Sequence, residues 1–160
     1  MNDSTWTWIS GNTTTNQPGV YGEKGIPSPT NHPGARYEAV VWYDNLRQVF
    51  WLFGGYGYGD ISILGSCRQY LSQLILPKHS ADNRTGHLND LWRYEVNNNT
   101  WTWMGGSTTT NKAGVYGVKG NASIENVPGS RRGAFGWYDS LRQEFWLFGG
   151  FGYSINISGM

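Results

Sequence analysis

The chain repeats its own sequence at a constant offset of 95 residues. Residues 5–58 return as residues 100–153 without a gap, and about 35 of the 54 aligned positions are identical. Internal repetition on this scale is typical of modular folds, in which each unit buries an apolar face against its neighbour. The fold must therefore be built from similar units, which constrains it more than any single residue does.

The composition favours short strands joined by tight turns. The chain has 160 residues, of which 23 are glycine and 16% are aromatic, and glycine-punctuated aromatic runs are typical of β-structure. Charged residues make up only 14% and the net charge is +1, so the charge gives no general attraction to nucleic acid or to an anionic membrane. No stretch approaches the roughly 18 apolar residues of a membrane helix. We therefore expect an all-β fold with no nucleic-acid partner and no membrane segment.

Four strands are predicted between Arg36 and Met104. They are short runs rich in β-branched and aromatic residues, at 39–43, 49–53, 91–94 and 100–104. Asp44-Asn45 and the asparagines at 97–99 supply turn residues, and Gly54-Gly55 is predicted to end the second strand. Two hairpins of this kind make one four-stranded antiparallel sheet.

Parts of the same sheet recur on either side of it. Residues 5–9 duplicate only the fourth strand, and residues 133–138 with 144–148 duplicate only the first two. We therefore predict the last strand of one sheet over 5–9, a complete sheet over 36–104 and the first half of a third over 131–153.

The short motifs that recur in the repeat resemble those of a known family. Its elements are a glycine pair ending an apolar strand, an Asn-Asp-Leu-Trp-x-Tyr segment, a Thr-Trp pair and an arginine that opens the next unit. In this sequence they are Gly54-Gly55, Asn89-Asp90-Leu91-Trp92-Arg93-Tyr94, Thr100-Trp101 and Arg131, with Gly149-Gly150 as the second glycine pair. This combination resembles the kelch repeat.

The resemblance implies a β-propeller blade of the kind found in the central domain of galactose oxidase. We interpret the chain as a partial kelch-type propeller, with one complete four-stranded blade and parts of two flanking blades. A propeller closes with about four to eight blades, so we expect this chain to be a fragment or part of a larger assembly. The period exceeds the roughly 50 residues of a kelch unit. Long connections at 10–35 and 105–130 account for part of the excess.

The segment 60–85 interrupts the repeat and differs from it in composition. Its apolar residues have near-helical spacing, ended by a proline: Leu64, Cys67, Leu71, Leu74, Ile75 and Pro77. The spacing predicts a short inserted helix. Three interpretations stay open, namely a helix that docks a partner, a helix that folds back onto the blade, and a gene-model error such as a translated intron.

No constellation in the sequence points to catalysis. His32, His79 and His87 lack metal-ligand spacing, and no nucleophile motif is present. The single cysteine, Cys67, excludes an intrachain disulfide and a cysteine-based zinc site. The resemblance to galactose oxidase places no copper ligand on any position. We therefore expect no catalytic residue, metal or cofactor.

Two groups of repeated residues are candidates for specific roles. Arg36 and Arg131 open their units, and we expect them to tie neighbouring blades together by donating to backbone carbonyls. Four aromatic residues follow the glycine pairs, where we expect loops. Two interpretations of these rings stay open: they pack within the fold, or they stack on a peptide or a sugar. These candidate contact residues are Tyr56, Tyr58, Phe151 and Tyr153.

Six asparagines begin N-x-S/T sequons. They are Asn2, Asn12, Asn83, Asn98, Asn121 and Asn156. In a secreted protein such asparagines are glycan acceptors on loops. The sequons favour an extracellular or lumenal location.

The resemblance and the absence of a catalytic motif together suggest a function. We expect a non-catalytic kelch scaffold that mediates protein–protein interaction through its loops. The alternative is a fragment of a secreted carbohydrate-binding or galactose oxidase-like propeller protein. A fold by itself does not decide between them.

Overall fold

The computed structural model of the chain describes residues 4–60 and 85–154, and all regular secondary structure in these ranges is β-strand. The strands are β1 (Arg36–Tyr37), β2 (Val40–Asp44), β3 (Val49–Tyr58), β4 (Thr85–Glu95), β5 (Thr100–Gly105), β6 (Arg131–Arg132), β7 (Phe135–Asp139), β8 (Glu144–Phe148) and β9 (Phe151–Gly152). The all-β prediction is confirmed for the described residues. The helix predicted within 60–85 lies outside them, as do Cys67 and the sequon at Asn83.

Five strands form one antiparallel sheet, the main sheet, with β3 and β4 as its central pair. β2, β3, β4 and β5 are neighbours in that order, so that Leu52 of β3 faces Val41 on one side and Trp92 on the other. β1 continues the line of β2 along β3, after an interruption at Glu38, whose φ is 54°. The predicted four-stranded antiparallel sheet is thus confirmed, with β1 as an addition.

The prediction that Gly54-Gly55 ends the second strand was wrong. β3 continues to Tyr58 and pairs with β4 along the added length, after a register shift between Phe53 and Gly55. Gly54 and Gly55 have φ of 62° and 96°, so they form a bulge that bends the strand without ending it. A side chain at Gly54 would lie 2.7 Å from the carbonyl oxygen of Arg131, so the bend also brings the next unit close.

The second unit repeats the first hairpin of the main sheet. β7 pairs with β8, with Trp137 opposite Trp146, and β6 pairs with β9. The prediction that 133–138 and 144–148 form two strands is confirmed. Phe151 belongs to β9, not to a loop.

The strand predicted over residues 5–9 is not formed. These residues are irregular and exposed, and the ring of Trp6 is fully accessible. A β-strand needs a neighbour for its backbone hydrogen bonds. None of the described strands pairs with residues 5–9, so their alternating pattern has no sheet to join.

The second unit packs against one face of the main sheet, and this contact contains a hydrophobic core cluster. Val40, Trp42 and Phe53 are buried there. Apolar side chains of both units surround them: Trp51, Leu91, Ala134, Tyr138, Phe145 and Leu147. Nε1 of Trp42 also donates to the carbonyl oxygen of Trp146 at 3.2 Å, so the two units are joined by a directed bond as well as by apolar contact.

The turn between β2 and β3 recurs between β7 and β8. Oδ1 of Asp44 accepts from the amides of Leu46 and Arg47 at 3.0 and 3.2 Å, and Oδ2 lies 2.8 Å from Nη1 of Arg47. Asp139 makes the same bonds, with Nη1 of Arg142 at 2.9 Å. Burial works to raise the pKa of Asp44. The hydrogen bonds that Asp44 accepts from Arg47 and Leu46 outweigh burial and hold that pKa below its usual value. The turn predicted from Asp44 is confirmed.

Candidate functional site

The carboxylate of Asp90 is the centre of a buried hydrogen-bond cluster. Asp90 lies in β4 with no accessible surface. Its Oδ1 lies 2.7 Å from Nη1 of Arg36, and its Oδ2 lies 2.8 Å from Nη2. The hydroxyl of Tyr21 and Nε1 of Trp92 both donate to Oδ2 at 2.7 Å. These donors satisfy a charge that is held away from water, as a buried ion pair requires.

The local sequence explains how the donors converge. Asp90 and Trp92 are two residues apart on one strand, so their side chains point to the same face of the sheet. Tyr21 comes from the connection 10–35, and its ring packs 4.8 Å from Trp92 and 5.6 Å from Trp103, measured between ring centroids. The long connection is therefore anchored to the sheet through this cluster.

Arg36 donates to backbone carbonyls as expected, but within its own unit. Its Nε and Nη1 each lie 3.0 Å from a carbonyl oxygen, those of Gly34 and Gly54. The prediction that it ties neighbouring units together was therefore wrong for Arg36. The guanidinium joins the connection, the glycine bend and Asp90 of a single sheet.

The same arginine in the second unit has a reduced set of partners. Arg131 donates to the carbonyls of Gly129 and Gly149 at 3.0 and 2.8 Å, which repeats the pattern of Arg36. Its Nη2 lies 2.8 Å from the hydroxyl of Tyr116, the repeat equivalent of Tyr21. In the first unit the carboxylate of Asp90 lies between the corresponding two side chains.

Burial and charge fix the protonation of the Asp90 cluster. Burial raises the pKa of the Tyr21 hydroxyl well above its usual value, and the Asp90 carboxylate raises it further. Burial alone would lower the pKa of Arg36, but the charge of Asp90 outweighs it and the pKa is raised. Tyr21 is thus a neutral donor and Arg36 a permanent cation, so the cluster acts as a rigid structural element.

A second cluster lies where the two units meet, beyond the bend in β3. We call it the aromatic cluster, and it consists of Tyr37, Tyr56, His87, Arg132, Phe151 and Tyr153. The centroid of the His87 ring is 5.2 Å from that of Tyr56, 5.4 Å from Phe151 and 5.8 Å from Tyr153. The rings of Tyr37 and Tyr56 are 5.4 Å apart.

Arg132 links the two units within the aromatic cluster. Its guanidinium carbon lies 5.6 Å from the ring centroid of Tyr37, 5.9 Å from that of Tyr56 and 5.8 Å from that of Phe151. These distances allow cation–π attraction, which contributes about 0.5–2 kcal/mol. Nη1 also lies 3.1 Å from Oε2 of Glu38. The inter-unit tie expected of the repeated arginines is therefore made by Arg132.

His87 is held neutral inside the aromatic cluster. Its backbone amide donates to Oδ1 of Asn111 at 2.9 Å, and its Nε2 is buried without a hydrogen-bond partner among the described residues. Burial lowers the pKa of the imidazole, and the nearby charge of Arg132 lowers it further. The imidazole therefore serves as an uncharged packing surface at neutral pH.

Three of the four candidate contact residues come together here, and one does not. Tyr56, Phe151 and Tyr153 all contact His87, although the first comes from one unit and the others from the next. Tyr58 lies beside Thr85 in the extended β3 and makes no ring contact with another described residue. The loop position expected for Tyr56 and Tyr58 was wrong, because the strand continues through both.

The other repeated residues lie in the framework. Trp92 is fully buried, and the rings of Tyr94 and Trp101 pack 4.9 Å apart across β4 and β5. Gly149 and Gly150 have φ of 72° and 88°, close to those of the first glycine pair, but here the pair separates β8 from β9.

Asn12, Asn98 and Asn121 are exposed in turns and connections, as a glycan acceptor must be. Their glycosylation stays a prediction. Asn83 lies outside the described residues.

Comparison of the chain with known protein families, curated proteins and solved structures found no match. Within 4–60 and 85–154, no group of three or more histidine, cysteine, aspartate or glutamate side chains is placed to hold a metal ion. The same part of the chain contains no helix long and apolar enough to cross a membrane. What the aromatic cluster offers chemically is ring surface and a guanidinium, which suit binding.

Proposed function

We propose that this chain is a kelch-like β-propeller segment that acts as a non-catalytic scaffold for recognising a protein partner. The antiparallel main sheet and the sheet-to-sheet packing of the second unit support this proposal. The observation that carries it is the aromatic cluster, which brings together Tyr56, Phe151 and Tyr153 from both units.

The composition of the aromatic cluster suits a protein interface. Tyrosine, phenylalanine and arginine are enriched at interfaces, and tyrosine and arginine are enriched among the residues that contribute most binding energy. Phe151 is 69% exposed and Tyr37 53% exposed, so both present ring surface to solvent. Arg132 is held between the rings and Glu38, so little conformational entropy is lost when a partner covers it.

The proposal can be tested by comparing partners of matched variants. The full chain, the double variant Phe151→Ala/Tyr153→Ala and the control Trp6→Ala/Trp8→Ala would each be used to purify partners from the source cells. Quantitative mass spectrometry would find proteins retained by the wild type and the control. The purified partner should then bind the cluster variant at least about tenfold more weakly, by calorimetry.

The control removes two exposed aromatic rings that lie outside the aromatic cluster. Equal thermal midpoints for the three chains would show that folding is unchanged. If the partner binds the cluster variant and the control with equal affinity, the proposed surface is wrong. Binding of the wild type, but not of the cluster variant, to a glycan array would instead support the carbohydrate-binding alternative.

A further inference from the structure

The contact between the two units joins unlike faces of one repeat. The first unit contributes Val40 and Trp42 of β2. The second contributes the opposite face of its hairpin, where Gly136, Tyr138 and Phe145 meet them. A contact of this kind is heterologous, and within residues 4–60 and 85–154 the other half of it on each unit is exposed.

The unused half on the second unit is an exposed apolar surface, which we call the trailing face. Its residues lie 95 positions after Val40, Trp42, Trp51 and Phe53, which are buried or half-buried at the internal contact. They are Phe135, Trp137, Trp146 and Phe148. All four are exposed, and the rings of Trp137 and Trp146 stack with an interplanar angle of 3°. The trailing face therefore copies the face that the second unit covers on the first.

The unused half on the first unit, the leading face, consists of Val41, Tyr43 and Phe50. These are the repeat equivalents of Gly136, Tyr138 and Phe145. Val41 is 56% exposed and Tyr43 46% exposed, and the rings of Tyr43 and Phe50 pack 4.7 Å apart. The leading face thus copies the surface that packs on Trp42 in the internal contact.

We propose that two copies of this chain associate head to tail, with the trailing face of one packed on the leading face of the next. The polar groups of the two faces are complementary. In the internal contact, the hydroxyl of Tyr138 donates to Oδ1 of Asp44 at 3.1 Å. The equivalent pair is Tyr43 on the leading face and Asp139 beside the trailing face, and Asp139 accepts the same turn bonds as Asp44.

A second polar pair matches in the same way. Nη2 of Arg47 donates to Oε1 of Gln143 at 2.9 Å across the internal contact. The repeat equivalents of Arg47 and Gln143 are Arg142 and Gln48, and both are exposed. Hydrogen-bond complementarity therefore extends to the two exposed faces, as in the contact between the two units.

The contact between copies is weaker than the contact within the chain. A Cβ at Gly136 would lie 2.6 Å from Nε1 of Trp42, so Val41 at the equivalent position of the leading face holds Trp137 of the neighbouring copy further away. The ion pair of Arg132 with Glu38 has no counterpart either, since Tyr37 and Gly133 occupy those repeat positions. The association is thus reversible and dependent on concentration, and its heterologous geometry gives short rows or rings of copies.

The experiment uses two variants of the full chain, each blocked on one face by a lysine. Val41→Lys blocks the leading face and Trp137→Lys the trailing face. Sedimentation velocity at about 1–100 μM should show larger species for the wild type, in proportion to concentration. Each variant alone should associate at least about tenfold more weakly, because a lysine would be buried without a partner. An equimolar mixture should form dimers and nothing larger, through the two unblocked faces.

Three results would overturn the proposal: a wild type that stays monomeric, a blocked variant that associates like the wild type, or a mixture that stays monomeric. Ile124→Lys is the control, because Ile124 is 97% exposed in the connection 105–130 and should leave association unchanged. Circular dichroism and thermal midpoints would verify folding. Phe148→Lys replaces Trp137→Lys if the latter unfolds, since it blocks the same face.

Discussion

Arg36 and Asp90 form a two-pronged ion pair inside the main sheet, with Nη1 2.7 Å from Oδ1 and Nη2 2.8 Å from Oδ2. The side chain of Arg36 is only 6% accessible and that of Asp90 is not accessible at all. The pair joins the first strand of the unit to β4, which lies 54 residues later. It therefore holds together parts of the sheet that are distant in sequence.

Asp90→Asn should destabilise the chain by about 3–5 kcal/mol, because it leaves the buried charge of Arg36 uncompensated. Urea unfolding followed by tryptophan fluorescence measures the change in the free energy of unfolding. Glu125→Gln removes an exposed carboxylate and should change that energy by less than about 0.5 kcal/mol. Equal effects of the two substitutions would contradict a structural role for the Asp90 cluster.

The repeat supplies a matched pair of tyrosines. Tyr21→Phe removes a buried donor to Asp90 and should cost about 1–3 kcal/mol, as for a hydrogen bond to a charged group. Tyr116→Phe removes an exposed partner of Arg131 and should cost less than about 1 kcal/mol, because water replaces the hydroxyl. The same urea titration compares them. A larger loss from Tyr116→Phe would show that the Asp90 cluster is not what anchors the connection.

Gly136→Ala tests the contact between the two units. An added Cβ would lie 2.6 Å from Nε1 of Trp42, so the units would have to move apart. We expect overpacking to lower the free energy of unfolding by about 1–3 kcal/mol. The tryptophan fluorescence emission should change as well, because Trp42 lies at this contact. Gly105→Ala is the control, because a Cβ there meets no atom within 4 Å. If both substitutions are tolerated equally, the units do not pack as closely as described.

The stability contributed by His87 should depend on pH. Its pKa is lower in the folded chain than in the unfolded chain, so folding favours the neutral imidazole. This contribution is fully present above the unfolded value of about 6.5 and is lost as the pH falls below that value through the folded pKa. An NMR titration of the His87 ring should therefore give a pKa below about 6.5.

Arg132→Gln should raise the pKa of His87, because it removes the positive charge that opposes protonation. Arg142→Gln, in the β7–β8 turn of the same unit, should leave the His87 titration unchanged. If both variants titrate like the wild type, burial alone sets the pKa. A wild-type value at or above about 6.5 would contradict the packing described for the aromatic cluster.

The regular part of the fold could be predicted from the sequence because strands and turns leave local signals. The runs at 39–43 and 49–53 are rich in β-branched and aromatic residues. Asp44 is a turn residue whose side chain accepts from the amides two and three residues later. The continuation of β3 could not be predicted in this way. A glycine pair can either end a strand or bend it. Here β3 continues past the pair because its residues up to Tyr58 pair with β4, which begins at Thr85.

The aromatic cluster was predicted only in part for a similar reason. Tyr56, Phe151 and Tyr153 could be selected because they follow repeated glycines. The repeat does not point to His87 or Arg132. Position 132 differs between the copies, and His87 has no copy within the aligned repeat. Only the packing of one unit on the other brings these side chains to the same place.

The pairing of Tyr58 with Thr85 at the end of β3 and β4 has a consequence for how the chain tolerates change. The sheet holds Tyr58 and Thr85 side by side. The register of β3 and β4 therefore does not depend on the length of the sequence between them. For a flexible loop, each doubling of the length costs only about 0.6 kcal/mol in closure entropy. The paired ends of β3 and β4 are therefore a position at which sequence can be inserted, exchanged or removed without a change in the main sheet.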